Sequence, residues 1–259
     1  AFVLSSFKPI QVLKGSFKNS STGVRLRKAL VVLQFTISIA LMVGTGIVFQ
    51  QMRFIYKIDL GYSRDQVITI QQNGGAITRS TTLKTELLRN ENILAAGTSS
   101  SRIGQQLGRT NIFPEGSTSE TNIITSIMAV DESFIPTMNM KMVAGRNFSL
   151  DHPDSLSMII NEEMMGLLKW DEAVGKKISI QTGQNVTDQT AYTVVGVVKD
   201  FHFATVRHKL EPMFMLYSRD NGALSIKINS ANMEETLAFV KDTWQKVNPG
   251  TTFEYNFLD

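Results

Sequence analysis

Apolar positions fall into one long unbroken run, several short alternating runs and two runs of helical period. The unbroken run, Ala29 to Gln51, reads ALVVLQFTISIALMVGTGIVFQQ and carries no charge between Lys28 and Arg53. Its 24 uncharged positions, 29–52, would make a helix about 36 Å long, enough to cross a hydrocarbon core of about 30 Å. Twelve positions between Leu30 and Phe49 are Leu, Ile, Val or Phe. They contribute roughly 4 to 7 kcal/mol toward insertion, set against Gln34, Thr36, Ser38 and Thr45. A cleaved leader has an apolar region of about 7 to 15 residues and a small-residue site after it; this run is longer and continues into Phe49-Gln50-Gln51-Met52-Arg53. The pattern therefore predicts a transmembrane helix over 29–52, continuing briefly until Gly61. Gln34, Thr36 and Ser38 would either contact neighbouring helices or bond their own backbone, and Gly44 and Gly46 would allow another helix to approach closely.

Beyond the span the periods shorten. Gln66–Gln71 and Ile93–Ser99 are predicted strands flanking a helix at 82–90, with Leu83, Leu87 and Leu88 on one side. Near the other end, Leu224, Ile226 and Ile228 alternate in a strand that Asn221-Gly222 would join as a hairpin to Met213–Tyr217. Asn232 with Glu235 three residues on predicts a helix start. Met233, Leu237, Val240, Trp244 and Val247 form its stripe, Pro249-Gly250 ends it, and Phe253, Tyr255 and Phe257 make a last strand. Two distant β-α-β units predict a split β-α-β sheet with both helices on one face. The region between is rich in Ser, Thr, Gly and Asn from 98 to 122. Short strand signals follow at 123–130, 141–144, 158–160, 177–180 and 192–198, with a helix at 162–170. That predicts an inserted β-rich subdomain.

Charge sharpens the membrane reading. The net charge is +3, yet residues 1–58 contain no Asp or Glu. Lys8, Lys14, Lys18, Arg25, Arg27 and Lys28 precede the run; removing these six from 26 basic residues leaves 20 against 23 acids beyond it, a net of −3. Basic residues gathered before a span place the N-terminus in the cytoplasm, with Arg25, Arg27 and Lys28 as the positive-inside flank, and argue against nucleic acid, which wants a basic folded face. The arm 1–28 is either a segment lying in the anionic inner leaflet or a basic linker. The chain has no cysteine, which fits a bacterial protein that holds together without disulfides.

Candidate chemistry is sparse. No GxxxxGK[ST] phosphate loop, HExxH or GxSxG occurs, so neither a P-loop ATPase, a zincin nor a serine hydrolase is indicated. Of His152, His202 and His208, only His202 has a suggestive setting, just after the strongest strand; satisfying a turn is the commoner role. Asp151-His152-Pro153-Asp154 reads as a loop. Glu162-Glu163 and Glu234-Glu235 suit first helical turns. The methionines at 138, 140, 142, 164, 165, 213 and 215 suit core filling, with an adaptable binding surface as the alternative.

Several short motifs together resemble the MacB/FtsX-like permeases of ABC transporters, especially the two-halved permeases of Bacteroidetes-type bacteria. They are Pro9–Gly15 (PIQVLKG), Leu26–Phe35 (LRKALVVLQF), Gly145-Arg146-Asn147-Phe148, Ile159-Ile160-Asn161-Glu162, Val174-Gly175-Lys176-Lys177 and Val194–Phe203 (VVGVVKDFHF). The resemblance implies an α+β architecture: a cytoplasmic arm (1–28), one transmembrane helix (29–52), a porter-like split β-α-β subdomain (53–104 and 213–259) and an inserted β-rich subdomain (105–212). It implies the second unit of such a permease, continuing past Asp259 into further membrane helices. It implies an inner-membrane location with the bulk periplasmic, and partners that include a separate cytoplasmic ABC ATPase, the permease's other helices, the bilayer and a periplasmic adaptor or envelope protein. No cofactor, metal or catalytic site is expected in the chain itself. Gly145, Arg146, Asn161, Glu162, Gly175, Lys176, Asp200, Phe201 and His202 are the motif residues, expected to be structural. The function implied is to transmit ATP-driven motion to a periplasmic domain in efflux, lipoprotein handling or another envelope process. A membrane-anchored extracytoplasmic sensor or binding module is the alternative, and a hydrolase using His202 a third.

Overall fold

The computed structural model describes residues 21–57, 60–63, 66–116, 123–183, 188–203 and 210–258. Lys8, Lys14, Lys18, the Pro9–Gly15 motif and His208 lie outside these residues. The chain divides into two compact units, Ala1–Ile58 and Asp59–Asp259.

Among the described residues of the first unit there is one helix, α1 (Ser21–Lys57). It starts earlier than the apolar run, and Ser21, Thr22 and Gly23 are helical. Leu26, Arg27, Lys28 and Ala29 are strong helix formers with no breaker among them, and they extend the helix toward its N-terminus. Its apolar side chains are exposed from Val24 to Phe54, and Gly23–Phe54 is long and apolar enough to cross a membrane. The hydroxyls of Thr36 and Thr45 donate to the carbonyls of Val32 and Leu41, each at 2.8 Å. Both therefore satisfy themselves on their own backbone.

The second unit is built on one connected sheet: β1 (Val67–Gln71), β2 (Ile93–Ser99), β3 (Gly108–Pro114), β4 (Ile123–Val130), β5 (Met142–Gly145), β6 (Ser157–Asn161), β7 (Lys177–Gln181), β8 (Gln189–Val198), β9 (Met213–Tyr217), β10 (Ala223–Ile228) and β11 (Tyr255–Phe257). Its helices are α2 (Ser80–Leu87), α3 (Phe134–Thr137), α4 (Glu162–Leu167) and α5 (Met233–Val247).

One end of the sheet is a four-stranded layer in the order β11-β1-β10-β2, antiparallel at every step. β1 and β2 run parallel with β10 between them, and β10 and β11 run parallel with β1 between them. Helices α2 and α5 cover one face, where Ile68, Ile70, Leu83, Leu87, Leu224, Ile226, Val240 and Trp244 form a shared core. Helix α2 begins two residues before the predicted start, and a 3-10 turn at Gly74–Arg79 leads into it. That phase buries Leu83 and Leu87 but leaves Leu88 45 % exposed. Leu88 therefore does not join the buried side as expected. Asn232 makes no side-chain cap bond to α5; instead its carbonyl accepts from the Thr236 hydroxyl at 2.8 Å.

Of the other seven strands, β5 pairs with β8 at the side and six close on themselves. β4 pairs with β3, β3 with β7, β7 with β8, β8 with β6, β6 with β9, and β9 returns parallel to β4. Each strand supplies side chains to one interior: Ile112, Ile127, Ile160, Ile178, Val194 and Phe214 among them. The expected hairpin between Met213–Tyr217 and β10 does not form, because β9 takes β4 and β6 as neighbours. Met213, Phe214, Met215, Leu216 and Tyr217 are apolar on both faces, so nothing in their alternation marks a solvent side. Phe214 and Leu216 enter the ring, while Met213, Met215 and Tyr217 point into a second core with Met128, Val130, Phe134, Met138, Ile159 and Phe201. The methionines at 138, 140, 164, 213 and 215 are buried, as core filling requires. Strand β3 was hidden in the Ser/Thr/Gly/Asn-rich stretch; only Ile112 and Phe113 in it are buried.

Candidate functional site

Four of the motif segments converge on β8. Gly145 on β5 lies opposite Gly196 on β8, beside a register irregularity between Met142 and Ala144. Gly145 has φ +69°, and a Cβ there would strike the Val195 carbonyl; one on Gly196 would strike the Arg146 carbonyl. Only two facing glycines allow these backbones so close. The Arg146 amide then donates to the Val195 carbonyl at 2.9 Å. On the neighbouring stretch of β8, the Gly175 amide donates to the Val194 carbonyl at 2.8 Å and the Val194 amide to the Lys176 carbonyl at 2.9 Å. Lys176 lies over the Trp170 ring, 4.9 Å from its centroid.

Asn161 joins the end of β6 to the segment after β8. Its carboxamide oxygen accepts from the amides of Met164 (3.1 Å) and Met213 (2.9 Å). Its nitrogen donates to the Asp200 carboxylate and the Glu211 carbonyl, both at 2.9 Å. The carboxamide thus makes four bonds, all that its two donors and two lone pairs allow, while capping α4. Asp200 also accepts from the Glu163 amide at 2.9 Å, and its own amide donates to Glu162 at 3.1 Å. Burial, with Glu162 and Glu163 nearby, raises the Asp200 pKa against the pull of these donors. Phe201 is buried and meets Phe203 edge-on, centroids 5.9 Å apart. The His202 amide donates to the Leu60 carbonyl at 2.9 Å, and its imidazole makes no hydrogen bond among the described residues. Glu162 and Glu163 occupy the first turn of α4, and Glu234 and Glu235 that of α5.

Two ionic holds surround this cluster. Arg146 grips Asp154 with both nitrogens, at 2.9 and 2.7 Å. Asp154 also accepts from the Ser157 hydroxyl at 2.7 Å and the Ser149 amide at 2.9 Å. Arg146, opposed by burial and helped by Ser157 and Ser149, holds the Asp154 carboxyl down to about 2. The second hold spans the molecule: Lys84 on α2 reaches Asp131 and Glu132 beyond β4, each at 2.8 Å. Burial works against the Lys84 charge, yet the two carboxylates outweigh it and raise its pKa. Burial likewise raises Asp131 against Lys84's attraction, whereas Lys84 and nearby donors overcome burial to lower Glu132. Glu132 further accepts from the Tyr217 hydroxyl at 3.3 Å.

The arrangement binds strand to strand: each of these carboxylates is held by donors, and none is set against a nucleophile. Among the described residues no three His, Cys, Asp or Glu side chains gather to hold a metal. The structure brings together Gly145, Arg146, Asn161, Glu162, Gly175, Lys176, Asp200 and Phe201 around β8. Arg25, Arg27 and Lys28 instead stand exposed on α1. Lys84, Asp131 and Glu132 escaped the reading of the sequence, and Asp154 was read only as part of a loop, since their pairings join residues 8 to 48 positions apart with no fixed spacing.

Residues 29–238 match the model of the MacB-like periplasmic core domain family. Among solved structures the chain is similar to the periplasmic region of MacB from Actinobacillus actinomycetemcomitans, with TM-score 0.55 and 13 % identity, over 77 % of this chain and 91 % of that one. It is also similar to a domain described as part of a permease protein from Porphyromonas gingivalis, with TM-score 0.51 and 15 % identity, over 76 % and 94 % of the two chains. A third likeness is to the extracellular domain of the noncanonic ABC-type transporter YknZ from Gram-positive bacteria, with TM-score 0.49 and 13 % identity, over 74 % and 99 %. At these identities the likeness is one of fold. No curated protein sequence matches the chain.

Proposed function

Because the chain belongs to the MacB-like periplasmic core domain family, we propose that it transmits ATP-driven motion from a separate cytoplasmic ATPase, through α1, to its periplasmic domain. The observation that carries this reading is that the family match begins at residue 29, in the apolar run, and continues into the folded domain to residue 238. A lever needs a span and a body that does not deform. The gathering of Arg25, Arg27 and Lys28 before the span supports a cytoplasmic N-terminus in the inner membrane. The Asn161, Arg146 and Lys84 holds support a body that moves as one. The four-stranded layer is the porter-like part and the six-strand ring the inserted part, with β9 (213–217) belonging to the ring by its pairings. The motif residues around β8 then serve as positioning residues for the ring. The work done outside would be efflux, lipoprotein handling or another envelope process, with an adaptor or envelope protein as partner.

Purification of the full-length permease in mild detergent is expected to recover a P-loop ATPase subunit, while this chain alone hydrolyses no ATP. Recovery of no nucleotide-binding subunit would overturn the reading in favour of a membrane-anchored binding module.

A further inference from the structure

At the end of the four-stranded layer, the tip of β1, the loop after β2, the last turns of α5 and the approach to β11 enclose a cavity of about 470 Å³. That is within the range of small-molecule sites, about 300–1,000 Å³. Asn73, Thr252, Glu254 and Asn256, all exposed, and the half-buried Arg102 line it, and none of their side chains has a hydrogen-bond or ionic partner among the described residues. Trp244, 1 % exposed, forms part of the wall.

The lining specifies the ligand class. Arg102 and Glu254 share the cavity without pairing to each other, so its formal charge sums to zero and neither an anion nor a cation is favoured alone. Carboxamides and hydroxyls both donate and accept, which suits a ligand whose groups do the same. We propose that this cavity binds a neutral saccharide, its hydroxyls shared among Asn73, Asn256, Thr252 and the two charged groups. This goes beyond force transmission and does not depend on which subunit hydrolyses ATP.

The test uses the full chain in lipid nanodiscs, free of sugar-headed detergent. Trp170→Phe leaves Trp244 as the sole tryptophan. Maltose, N,N′-diacetylchitobiose and the zwitterionic dipeptide glycylglycine are titrated against its emission, and calorimetry on the unsubstituted chain repeats each titration should Trp170→Phe disturb the fold. The expected result is saturable binding of at least one disaccharide, weakened about tenfold by Asn256→Ala or Asn73→Ala, as loss of a ligand hydrogen bond predicts. Binding of neither disaccharide, an affinity unchanged from the parent chain in both alanine variants, or a response to glycylglycine alone overturns the proposal. Each of those results leaves ATPase recovery, the test of force transmission, unaffected.

Discussion

In the four-stranded layer, α2 and α5 cover β1, β10 and β2, and the core between them is apolar apart from a few hydroxyls and the Trp244 edge. In the six-strand ring the strands cover one another, and the polar side chains Asn161, Asp154 and Arg146 fix the segments that run between them. The layer is a problem of matching apolar stripes, which tolerates slack. The ring must also bring two parallel pairs, β4 with β9 and β6 with β8, to one register across long stretches of chain. There, directional bonds and facing glycines decide which alignment fits.

The largest effect that would sharpen this contrast lies where the two regions meet. Lys84→Met leaves Asp131, whose side chain is 2 % exposed, buried without its cation, and is expected to cost about 3–5 kcal/mol in urea denaturation. Adding Asp131→Asn should restore part of that loss; a double variant no more stable than the single would break the account. Next come two asparagines at helix starts. Asn161→Ala strands the amides of Met164 and Met213 and should cost about 2–4 kcal/mol. Asn232→Ala, which loses no side-chain cap bond, should stay within about 0.5 kcal/mol. Equal losses would mean that polar bonding does not distinguish the regions.

Two glycines of positive φ extend the test. Gly250→Ala meets no atom within 4 Å and should cost about 1–2 kcal/mol from backbone strain alone. Gly145→Ala adds a collision with β8, so its transition should fall at a clearly lower denaturant concentration.

The smallest effect is a pH dependence. Asp154 is held at about 2, below the ordinary 3.8, so its contribution is complete above about pH 4 and disappears as pH falls toward 2. Asp131 and Asp200 are raised; their contribution is full below 3.8 and declines as pH rises through their folded values. Asp154→Asn should therefore flatten the acid side of the stability curve. An unchanged slope between pH 4 and 2 would show that Arg146 does not hold this carboxylate.

The layer was legible because α2, α5 and the strands beneath them turn apolar stripes toward one core. The stripe from Val240 to Trp244 and the alternation of Leu224, Ile226 and Ile228 state which way each element points. The ring was legible strand by strand, except for β3, but not as a closure. β9 is apolar on both faces, and a pattern without a polar side does not name its neighbours. The motif residues stood out by family likeness, whereas their convergence on β8 arises from contacts between segments far apart in the chain. Asn232 had the residue type and the spacing of a cap, yet the turn before α5 presents its carbonyl rather than its side chain.

Strand β9 is also the last of the six to leave the ribosome. Until residue 217 has been made, β4 and β6 each lack a neighbour, and the nascent domain carries two open edges with Phe214's place in the interior vacant. The time spent in that state is set by the synthesis of residues 199–217, which makes unfinished chains the form most exposed to edge-to-edge association.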